Sequence, residues 1–158
     1  MYYLGIDPGL SEVGFGIIKV INEEEPVYVD CGIFKTPANL TLAERLSMIK
    51  YDLEELFRLH KFEAAGIEEL FFVKNITNGM KVAHARGVIL QSLQEKKFSI
   101  YEMKPSEIKS NICGSGNADK RQVQDMVKRL LSLGEVPKPH DAADALGIAI
   151  LTARLHKG

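Results

Sequence analysis

Four carboxylates in three separate apolar segments are the residues of this chain best placed to do chemistry. Asp7 lies in LGIDPG, Glu68 in GIEEL, and Asp141 and Asp144 in HDAADAL. An ionised carboxylate at the end of a buried strand is costly unless something pairs with it. Three such segments in one chain of 158 residues point to acids that meet around a shared cation. Carboxylate oxygen is the ligand type suited to Mg²⁺ or Mn²⁺. Each acid alone has a plainer explanation. Asp7 is a good turn former ahead of Pro8-Gly9, and acids in the first turns of a helix are favoured by the macrodipole by up to about 1 kcal/mol. The plainer explanations do not account for the set.

The elements that must position these acids are legible in outline. Tyr2–Asp7 reads as a short buried strand stopped by Pro8-Gly9, followed by strands over Gly14–Val20 and Val27–Lys35 with a polar turn between them. Short turns joining three strands predict an antiparallel meander. From Thr41 the period changes to that of a helix, carried by Leu42, Leu46, Ile49, Leu53, Leu56 and Phe57, with Thr41 and Glu44 as a capping box and an end near His60. Ala64–Glu68 then reads as a buried parallel strand, Asn75–Lys96 as a second helix containing Gly79 and Gly87, and Phe98–Met103 as a further strand. Pro105 opens a short helix that Gly114-Ser115-Gly116 breaks, Asp119 caps another, and Pro139 opens the last, running to about Leu155. A meander followed by alternating strands and helices predicts an α/β layered fold with a mixed sheet.

On that framework Asp7 and Glu68 both close strands at their carboxyl ends, where sites form in open α/β sheets. Asp141 and Asp144, spaced i, i+3, share one helical face, and the alanines between them allow close packing.

Composition is that of one ordinary globular domain, residues 1–158, with 46% apolar and 26% charged residues. The start, MYYLGID, has no signal-peptide pattern, and no apolar stretch approaches the roughly 20 residues of a membrane span. Cys31 and Cys113 lack metal-site or disulfide-framework spacing, so a reduced, cytoplasmic setting is expected. Net charge is −1, but residues 1–70 carry 6 Lys/Arg against 13 Asp/Glu, whereas residues 71–158 carry 14 against 8. Such asymmetry is a hint of polyanion binding.

Over nearly its whole length the chain resembles the RuvC Holliday-junction resolvase family, within the ribonuclease H-like superfamily. The segments that carry the resemblance are LGIDPG with GFGII, IEELFFVKN, ARG, GSGNADKRQVQDMV and HDAADALGIAI, in the family's order and roughly its spacing. The resemblance implies a ribonuclease H-like fold, with a mixed central sheet (antiparallel meander plus parallel strands) flanked by helices. It also implies a homodimeric endonuclease that nicks four-way DNA junctions symmetrically during recombination and repair, working with the RuvA–RuvB branch-migration complex. The family's acidic residues fall on Asp7, Glu68, Asp141 and Asp144, as catalytic and metal ligands for Mg²⁺, which Mn²⁺ replaces, at two ions per subunit. Asp7 is then the bridging ligand. His140, about 100° round the helix from Asp141, is a surface or capping residue.

The same resemblance puts Phe71 beside the site, where its ring stacks on an unpaired base, and Lys109 and Lys120 near the scissile phosphates. Lys74, with Lys81, Arg86, Lys104 and Arg121, is a further candidate for backbone contacts, which position DNA without reading its sequence. The second helix, with Ala83, Ala85, Gly87 and Val88, is the expected dimer interface.

An ATP-binding fold of the actin and sugar-kinase class also places an acid and glycines after a first strand, but it needs a second domain for which 158 residues leave no room. The alternative function is a small RNA-processing nuclease of the same superfamily, against which LFFVKN and GSGNADKRQVQ weigh. A binding module without catalysis would not need the intact acidic set.

Overall fold

The computed structural model describes residues 1–70 and 74–157. Five strands, β1 (Tyr2–Asp7), β2 (Glu12–Lys19), β3 (Val27–Lys35), β4 (Phe62–Glu68) and β5 (Ser99–Met103), form one sheet in the order β3-β2-β1-β4-β5. Strands β1, β2 and β3 are the antiparallel meander, and β4 and β5 add to β1 in parallel. The helices are α1 (Leu42–Leu59), α2 (Ile76–Glu95), α3 (Pro105–Cys113), α4 (Lys120–Leu130) and α5 (His140–Lys157).

Strand alternation sorts the core onto two faces. Leu4, Ile6, Ala65 and Ile67 pack with Ile49 and Leu53 of α1 and Ile89 and Leu93 of α2. Tyr3, Ala64 and Met103 face the other way, onto Ile108 of α3, Val123 and Val127 of α4, and Leu146 and Ile148 of α5. Burying each large side chain of this kind contributes about 1.5–3 kcal/mol. Helix α5 is the central one: every residue from Ala145 to Ala153 is buried.

The strands explain why α5 lies so close. A β-carbon at Gly5 would overlap the Ala145 carbonyl, one at Gly14 the Asp141 carbonyl, and one at Gly16 would stand 2.5 Å from the Leu146 nitrogen. Glycines on β1 and β2, together with the alanines of α5, bring helix and sheet nearly into backbone contact.

Several boundaries differ from those expected. Strand β2 starts at Glu12, because Glu12 and Val13 still pair with Lys35 and Phe34, and β4 starts at Phe62, which pairs with Tyr2. Helix α2 runs unbroken through Gly79 and Gly87, with Asn75 as its cap accepting from the Asn78 amide at 3.3 Å. On α1 the capping box of Thr41 and Glu44 is present as expected, but Leu42 is exposed. Its buried stripe is Arg45, Ile49, Leu53 and Leu56.

Candidate active site

Asp7 continues the alternation of Tyr3 and Gly5, and Glu68 that of Ala64 and Gly66, so both carboxylates emerge on the α5 face as the last residues of adjacent parallel strands. Asp7 pairs with Gly14 of the neighbouring strand β2, and the bare surface of Gly14 admits the main chain of Asp141. Asp141 lies in the first turn of α5, and Asp144 follows one turn on. As a result Asp7, Asp141 and Asp144 each offer an oxygen within 4.8 Å of the other two. Glu68 stands outside that triad. With Asp144, Lys109 and Lys120 it lines an adjoining pocket of about 60 Å³.

The electrostatics are those of an acid cluster short of positive charge. Burial, then the charges of Glu68, Asp141 and Asp144, push the Asp7 pKa up to about 8, and Lys120 offsets this only in part. Burial and Asp144 raise Glu68, while Lys120 and Lys109 pull it down. The Lys120 ammonium is 3.5 Å from Asp144 Oδ2. Burial works against its charge, but Asp144, Asp7 and Asp141 outweigh that and hold its pKa above the usual lysine value.

These residues fit a divalent cation. Every candidate ligand is a hard carboxylate oxygen, the oxygens already converge, and repulsion among them is what a cation would relieve.

Other expected residues fall differently. Lys109 is half-buried in the pocket with Glu68, whereas Lys120 is largely exposed at its rim. Lys74, Lys81, Lys104 and Arg121 are exposed. Phe71 lies outside the described residues. His140 is exposed, in keeping with a surface role. Arg86 is not free for a phosphate. Its side chain is 14% exposed, its Nε donates to the Glu68 carbonyl at 3.0 Å and its Nη2 to Glu102 Oε1 at 2.8 Å. Ala85 cannot serve an interface, being wholly buried in the core of its own chain.

Two supporting residues were missed by sequence reasoning. Gln124 is buried, and its amide donates to Asp144 Oδ1 at 3.4 Å. Arg45 is buried too, and donates to Thr36 Oγ1, Ser11 Oγ and the Thr36 carbonyl at 2.9, 2.9 and 3.3 Å. Thr36 in turn donates to the Leu10 carbonyl at 2.6 Å, so Arg45 braces the turn that follows Asp7. Both were legible in principle as polar residues inside an apolar helical stripe: Arg45 precedes Ile49 by four, and Gln124 sits between Val123 and Val127.

A family model described as crossover junction endodeoxyribonuclease RuvC matches residues 3–152. The chain belongs to the RuvC family. It is 44% identical over 149 residues to RuvC of Roseiflexus sp. (strain RS-1), covering 93% of this chain and 87% of that protein. It is 41% identical to RuvC of Clostridioides difficile (strain 630), covering 99% and 92%. Among solved structures, T. thermophilus RuvC in complex with a Holliday junction substrate superposes with a TM-score of 0.92 at 31% identity, over 99% of this chain and 95% of that one. The mixed sheet flanked by helices is therefore the ribonuclease H-like fold of this family. The RNA-processing alternative finds no such support. Among the described residues, no helix is long and apolar enough to cross a membrane.

Proposed function

We propose that this chain is an endonuclease that resolves four-way DNA junctions by divalent-cation-dependent phosphodiester hydrolysis, in recombination and repair. The observation that carries the reading is the convergence of Asp7, Asp141 and Asp144 within 4.8 Å at the end of the central strand of a RuvC-family fold. Asp7, Glu68, Asp141 and Asp144 would hold Mg²⁺, or Mn²⁺ in its place, at two ions per subunit. When bound, the cations supply a more acidic water and neutralise charge at the scissile phosphate and departing 3′ oxygen.

The chain's own residues do the rest. Strand ends and the α5 backbone fix the carboxylates in advance, so little reorganisation is needed as charge develops. Lys109 and Lys120, beside Glu68 and Asp144, hold the scissile phosphate through charge-assisted hydrogen bonds. Lys74 contacts the backbone further out, and Phe71 stacks on an unpaired base next to the cut.

Resolution of a junction into two ligatable duplexes requires paired nicks related by a two-fold axis, so the working unit is a homodimer. The face of α2 that carries Ile76, Met80, Ala83 and Gly87 is exposed and spaced at i, i+4, i+7, i+11, which suits self-association better than the buried Ala85. The junction reaches the dimer in the cytoplasm, from the RuvA–RuvB complex. The test is incubation with a synthetic four-way junction, with and without Mg²⁺ or Mn²⁺, and mapping of the cuts. Paired symmetric nicks only with the cation are expected, and metal-independent or single-strand cleavage would refute the proposal.

A further inference from the structure

We infer that Arg86 is a positioning residue for Glu68, replacing a hydrogen bond that Pro8 removes from the sheet. The inference rests on the proposed role of Glu68 as a cation ligand. In the peptide unit after Glu68, the Glu69 amide donates to the Met103 carbonyl of β5 at 2.8 Å. The Glu68 carbonyl, on the other side of the same unit, therefore points toward β1. The parallel register there runs from Tyr3↔Ala64 to Ile6↔Ile67. Continued by one step, the ladder would supply the residue-8 amide as the donor to Glu68. Residue 8 is proline and has no N–H.

Arg86 Nε fills that position, donating to the Glu68 carbonyl at 3.0 Å. Its Nη2 is held by Glu102 Oε1 at 2.8 Å, and Glu102 stands on β5 next to Met103. The guanidinium thus ties three elements, β4, β5 and α2, at the one backbone unit that carries the Glu68 side chain. A fixed planar fork makes both bonds at once, which a lysine ammonium on a flexible stem does not reproduce. Without the clamp, the Glu68 carbonyl loses the hydrogen bond that Arg86 supplies, and the end of β4 loses a tie that fixes where its carboxylate points. Outer partners of this kind typically change metal affinity about 10–100-fold when lost.

The test is Mn²⁺ binding by calorimetry, junction binding in metal-free buffer, and thermal melting, for wild type, Arg86→Ala, Arg86→Lys and Glu102→Gln. Arg86→Ala should weaken Mn²⁺ binding about tenfold or more, with metal-free junction binding unchanged within about twofold. Arg86→Lys should restore part of the affinity. Glu102→Gln should shift it in the same direction by less, and the Arg86→Ala/Glu102→Gln double variant should be no worse than Arg86→Ala. Should Arg86→Ala not fold, Arg86→Lys and Glu102→Gln carry the same readouts. Weaker metal-free junction binding with a shallower salt dependence would make Arg86 a phosphate contact and overturn the inference. So would unchanged Mn²⁺ affinity with only a lower melting temperature. Absence of Mn²⁺ binding by the wild type would instead overturn the metal-nuclease reading, and this inference with it.

Discussion

Gly14 lies directly beneath the main-chain carbonyl of Asp141, so close that a β-carbon at position 14 would overlap it. Gly14 is also the ladder partner of Asp7. One missing side chain therefore sets how near an α5 carboxylate comes to a β1 carboxylate, and packing and chemistry meet at that point.

Gly14→Ala must then push the start of α5 away from the sheet. Overpacking of this kind costs about 1–3 kcal/mol. Denaturant melts should show that loss in stability, and cleavage of a four-way junction should fall further than the stability loss alone explains, since the triad opens. Full cleavage by a folded Gly14→Ala protein would show that the spacing of Asp7 and Asp141 does not matter.

The pH dependence of the cation-free protein has a definite sign. Asp7 has a folded pKa of about 8 against an unfolded value of 3.8. Between those values the native state binds more protons than the unfolded one, so stability falls as pH rises, by at most about 1.4 kcal/mol per unit. Glu68, raised as well, adds to the same trend. Melting temperature in chelator should therefore decline from pH 5 to 8, after subtraction of the Asp7→Asn profile. Added Mg²⁺ or Mn²⁺ should raise it more at pH 8 than at pH 5. Stabilisation by the cation that is equal at both values would contradict the picture of a repulsive acid cluster.

Much of this was legible in the sequence, for identifiable reasons. Strand β1 was bounded by its own apolar run and Pro8, and α1 by the reciprocal Thr41–Glu44 cap, both of which are local signals. The acids fell on strand ends and one helical face because period 2 and period 3.6 fix direction. What sequence spacing could not give was tertiary. Arg86 looks like any surface cation until its carbonyl partner on another element is known. Glu68 stands level with Asp7 in the parallel register yet outside the carboxylate triad, because the triad is completed by α5 acids, whose placement over β1 and β2 no sequence spacing reveals. Arg45 and Gln124 break apolar stripes for partners 34 and 20 residues away.

Lys109 and Lys120 should act on phosphate and not on sequence. Lys109→Ala and Lys120→Ala are each expected to slow cleavage and to flatten the dependence of log binding on log salt by about one. Any binding loss should be similar across junctions of different sequence. Gel-shift titrations over a salt series check this. A changed cutting-sequence preference at an unchanged rate would exclude the assigned role.

Arg45→Ala should destabilise the fold and, through the turn after Asp7, the site. It strips partners from Thr36 and Ser11 and leaves buried acceptors unpaired, at a cost of roughly 1–3 kcal/mol. Chemical denaturation measures it. A change within error would mean that water replaces the guanidinium freely.

Asp7→Asn tests the central claim most directly, because it keeps the shape of the side chain and removes one charge from the centre of the cluster. Cleavage of a synthetic four-way junction in Mg²⁺ and in Mn²⁺ is the measurement, alongside junction binding in metal-free buffer. Cleavage should be abolished with both ions, while metal-free binding holds near neutral pH, where Asp7 is protonated, and tightens slightly only above about pH 8, where the wild-type carboxylate is ionised. An Asp7→Asn protein that still cuts the junction would contradict the assignment of these carboxylates to a catalytic metal site.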